Sequence, residues 1–454
     1  KKKRCNMLDS TKYRSKRYLH FDHRVKIEKV ESYVTDPKRI AVHSFLPFIH
    51  YVTSFDKNIG CKNPEMNNRP IKTKNRDIMY AGHLDNYIYK YYAETLNDNY
   101  NEWVLVHEVD ECSTAYRNNK KGKSNIDFAA EIINRISYLE EAYILVGDFT
   151  NFFDKIDHRI MKKNLLRIHQ KQKLSSDWFN VYKSVTKYGY YEKDLLIKMF
   201  GTDKEIRNSK KTSYFPQMKD FRNFQRKHSI SKNEQKYGIP QGTAISAVFA
   251  NVYSIEFDVC MKNLADQYLG MYRRYSDDFI LVIPKKQISS VVSQTQIEAI
   301  EKRVRALAEE NEIEIQETKT GLFYYSDNRI TNLKEKKVSH IDYLGFVFDG
   351  TRVRMRGKSP YKFYRKAYKL IDSSKKVRER KNIEEFPYRK MIYSLYTDLG
   401  INRGDFGNFI AYAQRAQDTF DQLSPNTENL MMQQIKNRKK NLEKRLGIKI
   451  HTQV

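Results

Sequence analysis

The sequence predicts an α+β fold in which one antiparallel sheet is flanked by helices. A fully apolar strand at the start of Ala142–His158 ends in Asp148. In Arg273–Ile283, aromatic and β-branched residues lie on both sides of Asp277 and Asp278, a pattern typical of a hairpin. Apolar residues recur at helical spacing in Ala247–Phe257 and Ile297–Asn311. Two strands that end in carboxylates, with helices on the opposite sheet face, are the expected centre of the fold.

The chain is strongly basic along its whole length. Lysine and arginine number 83 against 55 aspartates and glutamates, which gives a formal net charge of +28 over 454 residues. Such a field attracts phosphate backbones or anionic membrane surfaces. An AT-rich coding sequence would also enrich lysine, asparagine, isoleucine and tyrosine, so the charge alone leaves nucleic-acid binding open.

Cysteine usage and hydropathy exclude several classes. No apolar run reaches the roughly 18 residues of a membrane span, and no apolar signal core follows the basic start. The four cysteines form no C-x-x-C pair, so neither a zinc site nor a disulfide framework is indicated. We expect two or three packed subdomains in a reducing cytoplasm, without a membrane partner.

The amino-terminal segments are less specific. Asp36–Ser54 has apolar residues at mixed helical spacing, and His43 and His50 are expected to be ordinary helix or core histidines. Arg76–Leu96 predicts a strand followed by a helix that Asp85 caps.

A glycine-bearing turn precedes the next predicted helix. Arg117 and Lys123 bring cations to this turn around Gly122, and backbone amides at a helix start would suit a triphosphate. The glycine spacing is not that of a Walker loop, and a solvated basic turn explains the pattern as well.

Asp148 is the first candidate metal ligand, because a buried strand commonly presents a ligand at its end. The alternative is that Asp148 simply begins a turn. Asp154 and Asp157 are interpreted as a turn residue and a helix cap. The stretch Lys183–Lys236 interleaves cations with aromatic rings, which fits a grip on nucleic acid or a helical insertion with a solvated face.

Gly238–Ser246 opens the helix that follows, with Thr243 or Ser246 as its cap. Glycines around Pro240 let a flat surface such as a base pair approach the backbone closely. Gln241 is placed to orient a template or primer strand, with a structural turn as the alternative.

The carboxy-terminal part predicts further elements in sequence. These are a strand with Lys319, a hairpin at Tyr343–Gly350, a basic tyrosine-rich helix at Lys358–Arg380, a helical tail from Glu384, and a cationic cluster at Lys436–Lys449.

Side by side in one sheet, the strand that ends in Asp148 and the hairpin that turns at Asp277 and Asp278 would bring three carboxylates together. Hard oxygen ligands of this kind favour Mg²⁺ or Mn²⁺, and a two-metal site performs nucleotidyl transfer. A solvated Asp-Asp turn remains the alternative.

This order of motifs closely resembles the reverse transcriptase family from about Arg76 to Tyr364. The carriers of the resemblance are Asp148 with FTNFF, GIPQGTAISAVFANVY from Gly238, YSDD from Tyr275, Lys319-Thr320, and YLGF from Tyr343. It implies a right-hand polymerase fold with fingers, a ferredoxin-like palm and a helical thumb. The implied boundaries are 1–70 for an extension and the start of the fingers, 71–140 and 159–236 for the fingers, 141–158 and 237–350 for the palm, and 351–454 for the thumb and a basic helical tail.

The resemblance also implies roles for individual residues. Asp148, Asp277 and Asp278 would bind metal, with the Phe149 backbone carbonyl as a further ligand, and Lys319 would protonate the departing pyrophosphate. Contacts with nucleotide or template fall to a second set: Arg117, Lys123, Phe153, Gln241, Gly242 and Tyr275. Phe153 would be the steric gate that collides with a ribose 2′-hydroxyl, unless it only fills the core.

Within the family the chain looks most like the bacterial defence-associated, abortive-infection (unknown-group) and retron-like branch. The implied function is RNA-directed DNA polymerisation in antiphage defence, with an RNA template, dNTPs and a DNA product. A dedicated noncoding RNA partner and an oligomer stay open. Two alternatives also stay open: template-independent or protein-primed DNA synthesis on the same fold, and a noncatalytic RNA-binding scaffold.

Overall fold

The computed structural model describes residues 8–58, 71–287, 291–404 and 406–450. Residues 1–7 and 59–70, within the predicted amino-terminal extension, and 451–454 of the predicted tail lie outside the described residues. The fold is α+β, as predicted. The described chain forms two compact units: the first contains the residues up to Asn119, Phe149–Val259 and Leu307–Glu314, and the second contains Lys120–Asp148, Cys260–Ala306 and the residues from Ile315 onward. The finer division into fingers, palm and thumb remains a prediction.

The elements follow one another in chain order. The α-helices are α1 (Glu31–Val34), α2 (Pro37–Ala41), α3 (His83–Val106), α4 (Asn125–Ser137), α5 (Phe152–Lys155), α6 (His158–Ile168), α7 (Ser176–Thr186), α8 (Lys193–Phe200), α9 (Asp203–Asn208), α10 (Met218–Lys227), α11 (Ala244–Tyr253), α12 (Ile255–Gln267), α13 (Gln294–Glu310), α14 (Lys358–Lys381), α15 (Arg389–Tyr396), α16 (Phe409–Leu423) and α17 (Arg438–Leu446). The strands are β1 (Phe48–Asn58), β2 (Ile71–Tyr80), β3 (Glu141–Asp148), β4 (Gly189–Glu192), β5 (Ser231–Lys232), β6 (Met271–Tyr275), β7 (Asp278–Pro284), β8 (Gly321–Ser326), β9 (Arg329–Asn332), β10 (Lys337–Val338), β11 (Ile341–Tyr343), β12 (Phe346–Phe348), β13 (Arg352–Met355) and β14 (Glu428–Asn429). In the part of the chain that the structure describes, no single helix is long and apolar enough to cross a membrane.

The first unit contains a four-stranded sheet in the order β2-β1-β4-β5. Strand β1 pairs antiparallel with β2 and parallel with β4. An aromatic core accompanies the sheet and includes Phe21, Tyr191, Phe215, Phe221 and Phe224. The stretch of cations and rings from Lys183 to Lys236 thus contributes most of its rings to a core, and its cations to the surface.

Two local predictions in the first unit are wrong. Asp36–Ser54 does not continue as a helix, because α2 ends at Ala41 and β1 begins at Phe48. Asp85 lies in the first turn of α3 and does not cap it, since Gly82 holds the cap position. The Asp85 carboxylate instead accepts a hydrogen bond from the Leu46 amide at 2.8 Å and lies 2.7 Å from His43 Nε2.

The second unit is built on a six-stranded sheet in the order β10-β9-β8-β3-β7-β6, in which every pairing is antiparallel. Strand β3 lies between β7 and β8, so both of its edges are hydrogen-bonded. Its continuous apolar run, Ala142–Leu145, is buried throughout, as expected for a central strand covered on both faces.

Helix α4 covers the face of this sheet on which the carboxylates lie. Ile144 and Ile280 belong to one core with Ile132 and Ile133 of α4. Side chains two or four positions apart on a strand share a face, so Asp148 lies on the face of Ile144, and Asp278 lies on that of Ile280. Helix α4 on the carboxylate face was not predicted, and the carboxylates stand at the end of the face that packs against it.

The hairpin and the long basic helix predicted in the second unit are present. The hairpin predicted at Tyr343–Gly350 is present as β11 and β12, joined by Leu344 and Gly345 with φ values of +49° and +95°. Positive φ at both central residues is the signature of a type I′ hairpin turn. The helix predicted at Lys358–Arg380 is α14, and the tail contributes α15, α16 and α17.

Candidate active site

The pairing register of β3 with β7 brings two of the three predicted carboxylates together. Asp148 lies directly opposite Asp278 at the end of the ladder, and side chains of directly opposite residues on antiparallel strands are neighbours, about 5 Å apart at Cβ. Tyr275 pairs with the same Asp278 across β6 and β7. Asp277 is therefore left in the two-residue turn between these strands, beside the pair.

The turn is held in an unusual backbone conformation. Ser276, its first central residue, has a φ of +61°, the sign that the mirror-image hairpin turns require at this position. The guanidinium of Arg274 is fully buried and donates from Nη1 to the Ser276 carbonyl at 2.9 Å. A charged group buried under the turn thus fixes the conformation that aims Asp277.

Packing behind the carboxylates holds the two strands at close range. Gly147 lies opposite Phe279, and a β-carbon at Gly147 would come within 2.3 Å of the Phe279 ring. The ring therefore lies across the bare glycine backbone. This contact directly precedes the Asp148–Asp278 pair in the ladder.

Lys319 completes the cluster. Its ammonium lies 2.6 Å from Asp148 Oδ1. Lys319 belongs to a 3₁₀ turn, Glu317–Lys319, which ends just before β8, so its prediction as a strand residue is wrong. The Asp148 carbonyl accepts the Gln316 amide at 2.8 Å, which ties this turn to the end of β3.

Burial and repulsion between neighbouring carboxylates raise the pKa of two members of the cluster, Asp277 and Asp278. Burial raises the pKa of Asp278 to about 7, with the negative charges of Asp277 and Asp148 adding to the effect. Burial also raises the pKa of Asp277, and the charge of Asp148 acts in the same direction. Carboxylates that disfavour one another's charge need a cation to ionise fully at neutral pH.

Two further residues are coupled to Asp278 by charge, and neither was assigned a role from the motifs. Arg356 lowers the pKa of Asp278 by its charge, and its guanidinium is itself bound to Asp342 at 2.6 Å. The phenol of Tyr343 is fully buried, and the charge of Asp278 adds to the burial that raises the pKa of Tyr343. Tyr343 belongs to the YLGF motif, so its position could be read from the sequence, but its electrostatic coupling to Asp278 could not.

The donor chemistry of the cluster fits a hard divalent cation, although no ready-made cage exists. Three acidic side chains lie at one end of the sheet, and hard cations prefer such oxygen ligands. Among the described residues, no group of three or more His, Cys, Asp or Glu side chains stands ready to hold a metal ion. The ammonium of Lys319 is the nearest positive charge to Asp148 in this arrangement.

The glycine-rich loop predicted at Gly238–Ser246 lies in the first unit, on strand β2. The Met79 amide donates to the Gln241 carbonyl at 2.9 Å. Gly242 has a φ of +122°, and a β-carbon there would lie 2.5 Å from the Met79 carbonyl oxygen. Close backbone contact with β2 is thus the reason for this glycine, and Thr243 caps α11 by accepting the Ser246 amide.

Phe153, the predicted sugar gate, lies beside this loop, and Gln241, the predicted template residue, belongs to it. The Phe153 carbonyl accepts the Ile239 amide at 3.0 Å, and its ring is partly exposed. Gln241 Nε2 donates to Asp154 Oδ1 at 3.0 Å. The Phe149 ring is buried against Phe152, and the role of the Phe149 carbonyl as a metal ligand stays a prediction.

The two predicted triphosphate contacts differ in exposure. The side chain of Arg117 is enclosed: it donates to Asn101 Oδ1 at 2.5 Å and to the Ser113 carbonyl at 2.9 Å, and it pairs with Asp110. This geometry favours a structural role for Arg117 over the predicted nucleotide contact. Lys123 is exposed in the turn before α4, as predicted. Tyr275 is partly exposed on β6, and its ring lies 6.3 Å from that of Phe128.

No protein-family model and no curated protein matches the chain. Among solved structures it is similar to apo telomerase from Candida tropicalis, with a TM-score of 0.44 and 10% identity over 88% of this chain and 58% of that one. It is also similar to telomerase from Candida albicans in complex with a fragment of telomeric RNA, with a TM-score of 0.41 and 13% identity over 92% of this chain and 66% of that one.

A truncated apo telomerase from Candida tropicalis gives a TM-score of 0.39 and 11% identity over 63% of this chain and 53% of that one. The chain thus spans between about half and two thirds of the length of these telomerases. TM-scores and identities this low say nothing about the activity of the chain.

Proposed function

We propose that the chain is an RNA-directed DNA polymerase that joins deoxynucleotides by nucleotidyl transfer. The observation that carries the proposal is the register of β3 and β7, which sets Asp148 opposite Asp278 with Asp277 in the adjoining turn. Partly buried like charges are costly to keep together, and a two-metal site is a chemistry that needs them.

In this proposal Asp148, Asp277 and Asp278 hold Mg²⁺, or Mn²⁺ in its place. The bound ions would lower the pKa of the attacking 3′-hydroxyl and neutralise the charge of the triphosphate. The 3′-oxygen forms a bond to the α-phosphorus, and the bond to pyrophosphate breaks. Lys319 Nζ donates a hydrogen bond to Asp148 Oδ1, so it is the side chain best placed in this cluster to protonate the departing pyrophosphate.

The template and the sugar are proposed on separate grounds. The net charge of +28 suits a nucleic-acid template, and the motif order resembles that of enzymes that copy RNA. The ring of Phe153 supports a preference for deoxynucleotides. A role in bacterial antiphage defence, with a dedicated noncoding RNA, is part of the proposal and rests on the motif resemblance alone.

The direct test is incorporation of labelled dNTPs by purified protein on a primed RNA template. Asp277→Asn and Asp278→Asn keep the side-chain shape and remove a ligand charge, so each should abolish incorporation. Asp194→Asn, at an exposed aspartate on α8, is the matched control and should retain it. Full activity in Asp277→Asn and Asp278→Asn would overturn the assignment of these carboxylates.

The same assay separates the alternatives. Product that forms without template, or that stays attached to protein until protease digestion, would indicate untemplated or protein-primed synthesis. Protein that binds RNA but incorporates no nucleotide under any metal condition would indicate a noncatalytic scaffold. For the defence role, cells carrying the wild-type chain should resist phage, and cells carrying Asp277→Asn should not.

A further inference from the structure

Helix α6 of the first unit presents a row of cations to solvent. Its buried face consists of Met161, Asn164, Leu165 and Ile168 together with His158. The exposed positions between them are almost all basic, namely Arg159, Lys162, Lys163 and Arg167. Lys171 continues the row just after the helix ends. The amphipathic pattern of α6 is therefore apolar on one side and cationic on the other.

These cations line an open groove with a volume of about 730 Å³. Its described lining contains no carboxylate; the cations are accompanied by the half-buried Leu166 and by the amides of Gln170 and Gln172. The groove is shallow and open, and closely spaced charges of one sign on such a surface attract a polyanion.

Acidic residues neutralise only part of this row. Arg159 lies 3.5 Å from Asp157, and Arg167 pairs with Glu256. Across the residues that the structure describes, Lys163 and Lys171 form no ion pair. Cations four positions apart on a helix, such as Arg159 and Lys163, repel one another by a few tenths of a kcal/mol.

Other helices of the same chain treat their cations differently. Ion pairs with an acidic residue four positions away occur on α9, α12 and α13; they are Arg207–Asp203, Lys262–Asp266 and Arg305–Glu301. The row on α6 has no such internal partner at the same spacing. The overall basic composition does not account for this contrast, because the chain has acidic residues and places them beside cations elsewhere.

An exposed aromatic ring lies at the margin of the row. Phe179 of α7 is 45% exposed, and Lys162 Nζ lies 5.7 Å from the centre of its ring. Cations that track a backbone beside a ring that can stack on a base are the two components of single-strand recognition. A duplex has no unstacked base to offer such a ring.

We propose that this groove on α6, with Phe179 at its margin, binds single-stranded RNA through its phosphates. The proposal rests on the proposed function only for the choice of RNA as the polymer. Arg159 and Arg167 are eight residues apart, which is about 12 Å along a helix, so the row can contact several consecutive phosphates.

The test uses the full chain and a labelled oligouridine as the probe. Lys162→Glu/Lys163→Glu reverses two charges in the groove, and Lys302→Glu/Lys337→Glu reverses two exposed lysines of the second unit as the matched control. We expect the groove variant to bind about ten- to a hundredfold more weakly, while the control changes little. The slope of log K against log salt should fall by about 0.7 for each phosphate that the variant no longer neutralises.

A neutral double variant and a ring variant test the groove with less risk of misfolding than charge reversal. Lys163→Gln/Lys171→Gln removes two charges without introducing new ones, and Phe179→Ala removes the ring alone. The neutral pair should reduce both affinity and salt slope, whereas Phe179→Ala should reduce affinity with the salt slope unchanged. Equal reductions of affinity in groove and control variants, or no reduction in either, would overturn the proposal.

Further arms identify the polymer. An equal reduction for single-stranded DNA would overturn the choice of RNA, and an equal reduction for polyglutamate would show a general anion site instead. The affinity for RNA is measured without nucleotides. It can therefore be determined even if the wild-type chain incorporates no dNTP. Failure of the polymerase proposal and failure of this one are therefore distinguishable.

Discussion

The ammonium of Lys319 lies 2.6 Å from Asp148 Oδ1, across two segments separated by 171 positions in the chain. The contact depends on the 3₁₀ turn before β8, because the Gln316 amide binds the Asp148 carbonyl and so anchors the turn to β3. A single cation is thus placed against the first carboxylate of the cluster.

This contact predicts a specific pattern in Lys319 variants. Lys319→Ala should lower dNTP incorporation by about 10²–10⁴-fold, the usual contribution of a positioned proton donor. Lys319→Arg keeps the charge but is a poor proton donor, because a guanidinium does not deprotonate in proteins. Single-turnover rates should therefore fall in both. If Lys319→Arg turns over like the wild type, the positive charge matters and proton donation does not.

The contact between Gly147 and Phe279 predicts that a methyl group at Gly147 disturbs the site. Gly147→Ala should cost about 1–3 kcal/mol in the free energy of unfolding, the usual range for overpacking, and should reduce incorporation. The double variant Gly147→Ala/Phe279→Leu should recover part of that stability, because the smaller side chain makes room. Denaturant titration measures both, and additive destabilisation in the double variant would contradict the proposed contact.

The position of Phe153 predicts an effect on sugar selection. Its backbone is held by the Ile239 amide independently of the ring, so Phe153→Ala should leave the loop in place. Discrimination between dNTPs and rNTPs should then weaken by on the order of a hundredfold, measured as the ratio of kcat/KM values. Unchanged discrimination would assign the ring to packing alone.

Acid sensitivity should arise partly from His83. Burial lowers the pKa of His83 to about 4, and its ring is stacked on Tyr18 at 4.7 Å. The unfolded chain binds a proton near the ordinary pKa of about 6.5, so the unfolded state takes up more protons than the folded one between pH 6.5 and 4. Stability is therefore lost as pH falls through this window.

His83→Phe keeps a ring against Tyr18 and removes the titrating group. Its Tm should fall less than that of the wild type between pH 7 and pH 5, while His340→Gln, at an exposed histidine, should follow the wild type. Parallel acid profiles for wild type and His83→Phe would show that other groups cause the acid sensitivity.

The sequence predicted the elements whose patterns are local. The run AYILVGD marked β3 because a strand buried on both faces needs continuous apolar residues, and SDD between two such runs marked the turn of β6 and β7. Asp157 was recognised as a cap, and it accepts the Arg159 amide at 2.8 Å. The helix predicted at Ala247–Phe257 is divided at Ser254, where α11 gives way to α12.

Interactions across long sequence distances were not predictable in the same way. Arginine is a residue type that commonly binds phosphate. The guanidinium of Arg117, however, is already bound to Asn101, Asp110 and Ser113. The apolar residues of Asp36–Ser54 have helix-like spacing, but the later part of this segment forms β1 because it pairs with β2 and β4. No local pattern reveals these pairings. The charge coupling of Asp278 to Tyr343 of β11 and to Arg356, just after β13, likewise depends on how these strands pack.

The two-residue link between Tyr275 and Asp278 limits how this chain could change over time. One amino acid inserted there, with the far end of the pairing kept, would turn the side chains at the start of β7 to the other side of the sheet, moving Asp278 off the face that it shares with Asp148 and placing Phe279 on the face where Ile280 now lies. Length variation should therefore be tolerated in the loops at the far end of these strands, and hardly at all at this tip.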